Sequence, residues 1–206
     1  GEESMYKKLS GSDLGGLFGN LKKLGKVQGP VNIGSSSYEF RELTSLDELD
    51  LTCTRTMIPP KKFFIKTKES IFEFDEAEAE FREPLEEEKI VIFGIHPCDI
   101  YALKLLDRIY INETPDKYYM KRRENAVLVG VSCHPDEYCF CKSTGTSYAA
   151  DGFDFFLHEI GDGYFVRVGS EKGYEIVEAN RDLFRDVEIK DIKEFRLSEQ
   201  KRLGEF

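Results

Sequence analysis

Cys98, Cys133, Cys139 and Cys141 fall in two short segments, Gly94-Ile95-His96-Pro97-Cys98-Asp99 and Ser132-Cys133-His134-Pro135-Asp136-Glu137-Tyr138-Cys139-Phe140-Cys141. Thiolates bind soft and borderline metals, and iron–sulfur clusters take four protein ligands, most often all cysteine. Cys139 and Cys141 are two residues apart, so in an extended chain their thiols face the same side. Pro97 is a favoured first-turn residue, which puts Cys98 at or near a helix N-terminus, where the helix dipole stabilises a thiolate. His96 and His134 each lie within two residues of a site cysteine. Imidazole can ligate zinc or iron, but with Asp99 these residues read better as groups around the ligands, capping a helix or donating hydrogen bonds to cluster sulfurs. The spacing is not the C-x₂-C run of ferredoxins, and by itself it leaves three readings open. The thiols hold a cluster, or a zinc ion, or serve as buried apolar side chains. Cys53, in Thr52-Cys53-Thr54-Arg55, stands apart in the sequence and reads as structural.

Each cysteine segment follows an apolar, β-branched run, Lys89-Ile90-Val91-Ile92-Phe93 and Ala126-Val127-Leu128-Val129-Gly130-Val131. Between them, residues 99–110 carry apolar side chains at helical spacing. Strand, helix, strand with a right-handed crossover makes the two strands parallel. Their carboxyl ends then share one sheet edge, where open α/β sheets place ligands, and the four thiols can converge there. The expected fold class is α/β (or α+β), with a mixed sheet, a central parallel pair at 89–95 and 126–133, and flanking β-hairpins.

Elsewhere, Ser12 caps an expected helix with Leu14, Leu17, Phe18, Leu21 and Leu24 on one face, stopped at Gly25. Residues 27–33 and 38–43 read as a hairpin around Gly34-Ser35-Ser36-Ser37, and 46–51 as a short helical turn. Pro59-Pro60 enforces an extended entry into Phe63-Phe64-Ile65, which residues 69–74 could pair as a second hairpin. The acidic run 75–88 reads as a solvated connection or helix face. Tyr118-Tyr119-Met120-Lys121-Arg122-Arg123-Glu124-Asn125 reads as the approach to the second central strand, its arginines pairing with carboxylates. Residues 153–159 and 164–169 form a third hairpin over Ile160-Gly161-Asp162-Gly163, with His158 an ordinary surface or packing residue. The organisation expected is one α/β iron–sulfur domain over 1–178 and a charged helical extension or linker over 179–206.

The chain has 206 residues, 40% of them apolar and 33% charged, and a net charge of −10. Such acidity argues against nucleic acid or anionic membrane as partner. No stretch approaches the roughly 20 apolar residues of a membrane span, and the polar start carries no signal-peptide core. The expected location is cytoplasmic, where clustered cysteines more often bind metal or do redox chemistry than form disulfides. No nucleotide-binding glycine motif is present.

A set of residues in fixed order carries a resemblance. It comprises Gly29-Pro30-Val31, Pro59-Pro60-Lys61-Lys62-Phe63-Phe64, His96-Pro97-Cys98-Asp99 with Ala102-Leu103 and Leu106-Asp107, Tyr118-Tyr119 with Arg122-Arg123-Glu124-Asn125, Cys133 with Cys139-Phe140-Cys141, Gly152-Phe153-Asp154, and Gly161-Asp162 with Val168-Gly169-Ser170. From about residue 25 to 175 the chain resembles the iron–sulfur β subunits of sulfhydrogenases (hydrogenase/sulfur reductase) and the A subunits of anaerobic sulfite reductases. The resemblance implies an electron-transfer subunit. It would relay electrons through a [4Fe–4S] cluster between a flavin-containing, NAD(P)H-linked subunit and hydrogenase or sulfur/sulfite reductase catalytic subunits. The alternative is a zinc-binding or metal-free docking domain of such a complex. Two departures stand out. The family pattern has arginine where this chain has His96, and the family continues into a ferredoxin-like segment with two C-x₂-C-x₂-C-x₃-C-P runs that these 206 residues do not contain. The expectation is an excised N-terminal domain or a truncated relative that holds one cluster, not three, and that is a component of an oxidoreductase complex rather than a catalyst alone.

Overall fold

Apolar runs with no polar face suit strands covered on both sides, and the computed structural model, which describes residues 5–84 and 88–206, builds its main sheet around two of them. In chain order the elements are β1 (Tyr6–Ser10), α1 (Leu14–Leu21), β2 (Lys26–Gly34), β3 (Ser37–Glu42), β4 (Glu73–Asp75), β5 (Glu80–Arg82), β6 (Ile90–Ile95), α2 (Pro97–Asp107), α3 (Lys117–Asn125), β7 (Ala126–Val131), α4 (Cys141–Thr144), β8 (Phe155–Ile160), β9 (Gly163–Val168), α5 (Glu171–Ala179), β10 (Phe184–Asp186) and α6 (Ile189–Gly204). The eight-stranded sheet runs β10-β1-β9-β8-β7-β6-β2-β3, and β4 and β5 form a separate hairpin. The parallel centre spans four strands, β2, β6, β7 and β8, where the sequence pattern predicts a pair. The flanking pairs are antiparallel. The mixed α/β architecture expected from the sequence is the one observed.

Side-chain alternation along β6 and β7 supplies two cores. Val91, Phe93, Val127, Val129 and Val131 face one layer with Leu14, Leu17, Phe18 and Leu21 of α1 and Ile176 and Val177 of α5. Ile92, Ile95, Ala126 and Leu128 face the other, with Ile100 and Leu103 of α2 and Tyr119 of α3. On that second face Phe195 of α6 stacks on Phe165 at 4.3 Å and meets the His158 ring edge-on at 4.7 Å.

Several local expectations are corrected. Phe63-Phe64-Ile65 is not a strand. Pro59 is extended, but Pro60 opens a 3₁₀ turn, Pro60–Phe63, because proline's fixed φ also suits the first position of a helix. Phe64 then drops into the core, fully buried. The hairpin forms instead between β4 and β5, so part of the acidic run is strand rather than helix. Residues 85–87 of that run lie outside the described residues. Residues 117–125 are a helix, capped by the Asp116 carboxylate accepting from the Tyr119 N–H at 2.8 Å. Its arginines do pair with carboxylates, Arg123 with both oxygens of Asp107 at 2.7 Å and Arg122 with Glu69. Beyond residue 179 the chain is not all helix, since β10 pairs with β1 before α6 begins.

Candidate metal centre

Parallel pairing of β6 with β7, from Ile90 opposite Ala126 to Ile95 opposite Gly130, brings the chain after each strand to one sheet edge. Gly94 sets the exit of β6. Its φ of +88° accompanies a register shift between Phe93 and Ile95, and a Cβ there would stand 3.0 Å from Pro30 Cδ. The bulge turns the chain, His96 is extended as the cap of α2, and Pro97 occupies its first turn. Cys98 follows in that turn. Cys133 lies two residues beyond β7 and is buried. A tight turn, Cys139 N–H to Asp136 C=O at 3.1 Å, carries Cys139, and Cys141 opens the short α4. Cys139 and Cys141 are therefore not on an extended strand, as the spacing alone implied.

Cys98 lies within electrostatic reach of Cys141 and Cys133. Cys133 is similarly close to Cys141 and Cys139, and Cys139 to Cys141. Burial pushes the Cys98 thiol far up, with Asp99 and the neighbouring cysteines adding to it. Burial likewise pushes Cys133 up to about 12, against the pull of Arg202. Such thiols stay protonated unless a cation joins them, which couples proton release to metal binding. Among the described residues, no three His, Cys, Asp or Glu side chains stand at the spacing of a single metal ion.

His96 is buried, and its ring has no hydrogen bond among the described residues. Burial, with Arg202 nearby, lowers its pKa to about 4, so it is a neutral imidazole. Asp99 is pushed up to about 6 by burial, opposed by Lys61. His134 is exposed and bonds outward to Glu205 at 2.6 Å, away from a role as buried donor. Cys53 is nearer than its sequence position implied. It is buried, within electrostatic reach of Asp99, and lines a cavity of about 300 Å³ with Ser132, His134, Glu199 and Arg202.

Two anchors hold the cysteine loop. Arg55 donates to Asp136 at 2.7 Å and lies over the Tyr138 ring at 4.6 Å. From α6, Arg202 donates to the carbonyls of Cys133 at 3.2 Å and Ser147 at 3.1 Å, while both oxygens of Glu199 hold its guanidinium at 2.9 Å. Glu199 also meets Nδ1 of His158 at 3.1 Å, and Arg167 donates to His158 Nε2 at 2.9 Å. Arginine can only donate, so Nε2 accepts and Nδ1 carries the proton. His158 is thus buried and neutral, its pKa lowered to about 4 chiefly by burial, and not the ordinary packing residue expected from the sequence. Ser132 Oγ lies 2.7 Å from the same Nδ1. Serine and carboxylate therefore share one ring nitrogen while arginine blocks the other, so His158 cannot relay a proton from Ser132 to Glu199. The arrangement is not that of a nucleophilic triad. The i, i+3 pair Glu199 and Arg202 was visible in the sequence, but nothing local identified the backbone it reaches.

Over 201 residues, 98% of its length, the chain is 49% identical to sulfhydrogenase 2 subunit beta of Pyrococcus furiosus. The chain is a relative of the sulfhydrogenase beta subunits. It spans 59% of that subunit's length. No family model and no solved structure matches the chain. Among the described residues no helix is long and apolar enough to cross a membrane.

Proposed function

We propose that this chain is an electron-transfer module in which Cys98, Cys133, Cys139 and Cys141 hold one [4Fe–4S] cluster. The observation that supports the reading is that Cys98 and Cys133 follow the carboxyl ends of the parallel strands β6 and β7, within electrostatic reach of each other and of Cys141, in a relative of a sulfhydrogenase beta subunit. The donor set fits, because all four are soft sulfur ligands and the buried His96 ring has no hydrogen-bond acceptor among the described residues. When bound, the cluster supplies reversible one-electron chemistry. Cys98 and Cys133 approach it from the ends of rigid elements, Cys139 and Cys141 from the loop held by Arg55 and Arg202. His96 stands to donate to a sulfur, and Asp99 adjoins Cys98. His134 contributes only from the outer surface.

Its partners on this reading are a flavin-containing, NAD(P)H-linked subunit and a hydrogenase or sulfur/sulfite reductase subunit. Tyr138 and Phe140, 64% and 71% exposed on the cysteine loop, offer apolar contact beside the ligands. Anaerobic loading with iron and sulfide tests the assignment. Four irons and four sulfides per chain are expected, by the stoichiometry of such a cluster. Equimolar zinc without sulfide would replace it with a zinc-binding docking domain.

A further inference from the structure

α6 brings a buried positive charge to the cluster site. Arg202 is 3% exposed, and its two carbonyl bonds reach Cys133 and Ser147, one on each side of the cysteine loop. Its partners extend inward to Arg167, itself 7% exposed, which lies over the rings of Tyr148, Phe153 and Phe156 and donates to Ala149 C=O at 2.6 Å. Two guanidiniums, the Glu199 carboxylate and a neutral His158 leave this buried set with one net positive charge; Glu205, which also acts on Arg202, lies at the surface, where solvent screens it. Arg202 sits at its end nearest the thiols and acts electrostatically on both Cys133 and His96. A buried charge is poorly screened. Reduction of a thiolate-bound cluster adds one negative charge, so an adjacent buried cation stabilises the reduced state more than the oxidised one.

We propose that Arg202, held by Glu199 and the His158–Arg167 pair behind it, is a positioning residue. It ties the two ends of the cysteine loop and raises the reduction potential of the cluster bound there. The inference rests on the cluster reading above, and the test separates the two.

The chain and its R202Q, R202K and E199Q variants are loaded anaerobically at one pH, so that Asp99 contributes equally. Iron and sulfide per chain report the cluster, and a redox titration followed by electron paramagnetic resonance reports the potential. R202Q is expected to keep its iron and sulfide while its reduced-to-oxidised ratio at a fixed potential falls about tenfold, which is about 59 mV for one electron. R202K restores most of that ratio. E199Q moves it the other way, because it removes a negative charge while loosening the same tie. That opposition distinguishes charge from position, since a merely slackened loop would shift both variants alike. An unchanged potential in fully loaded R202Q, or shifts of the same sign in R202Q and E199Q, overturns the inference. So does loss of iron from R202Q and R202K together, which would make Arg202 a structural tie alone. An unmodified chain that takes up no iron and sulfide overturns the cluster reading itself, and this inference with it.

Discussion

Acidification should unlatch α6 through His158. Its imidazole is 2% exposed, stacked on Phe156 at 4.6 Å and edge-on to Phe195, and its Nε2 accepts from Arg167. Protonation would place an N–H on Nε2 facing a guanidinium, so the folded protein resists it and the pKa is lowered from 6.5 to about 4. The unfolded chain carries no such restriction. Below pH 6.5 it binds a proton that the folded chain refuses until about pH 4. The stabilisation is therefore complete above about pH 6.5 and is lost as pH falls toward 4. At about 1.4 kcal/mol per pH unit, that span corresponds to about 3 kcal/mol, a large part of a typical domain's stability. Glu199, held well below its ordinary value by His158 and Arg202 despite its burial, adds loss of the same sign once the pH passes below about 4.5. The assay is urea unfolding of the metal-free, reduced chain between pH 7.5 and 4.5, beside H158Q. Glutamine can accept from Arg167 and donate to Glu199 but does not titrate. The original chain should lose stability more steeply between pH 6.5 and 4.5 than H158Q. Parallel curves would show that His158 is protonated equally in both states and refute the reasoning.

Further outcomes follow from the same geometry. Single alanine changes at Cys98, Cys133, Cys139 or Cys141 should each abolish or strongly reduce iron and sulfide uptake, whereas C53A, one cavity wall away, should retain it; spectra and iron content after loading decide. Gly94→Ala should destabilise the fold by about 1–3 kcal/mol, since φ is +88° and Pro30 stands 3.0 Å from the added carbon; chemical unfolding measures it. The loaded chain alone should exchange electrons with dyes yet reduce neither sulfur, sulfite nor NAD(P)⁺, because a relay needs proximity while substrate chemistry needs a site that binds and polarises; separate assays with each acceptor check this.

The central strand–helix–strand unit was legible because its signals are local. β-branched runs, a proline at a helix start and helical apolar spacing all lie within about 40 residues of one another. β1 was not legible. Tyr6-Lys7-Lys8-Leu9-Ser10 offers two apolar side chains, and it is a strand because β9 and β10, far along the chain, pair with it on both sides. α3 has no apolar stripe to announce it, and the Asp116 cap was the available signal. The placement of Cys98 and Cys133 just past the ends of two parallel strands was legible. What holds the cysteine loop was not, because Arg55, Glu199 and Arg202 act from other parts of the chain on side chains and carbonyls that the cysteine motif does not name.

Those remote anchors give the site two unlike sides. Cys98 and Cys133 approach from strand and helix ends, against buried His96 and the Arg202 cation. On the cluster reading, the buried Cys133, His96 and Arg202 are where a fixed charge or a single N–H would have the most leverage on the potential. Cys139 and Cys141 flank Phe140, whose ring is 71% exposed, and Arg55 braces the neighbouring Tyr138 from the surface. On the same reading, a partner docking there would reach the cysteine loop without disturbing His96 and Arg202. A relay needs both properties, a potential insulated from docking and an edge close enough for an electron to cross. On the proposed reading, separating them between strand ends and a braced loop would let one small site supply both.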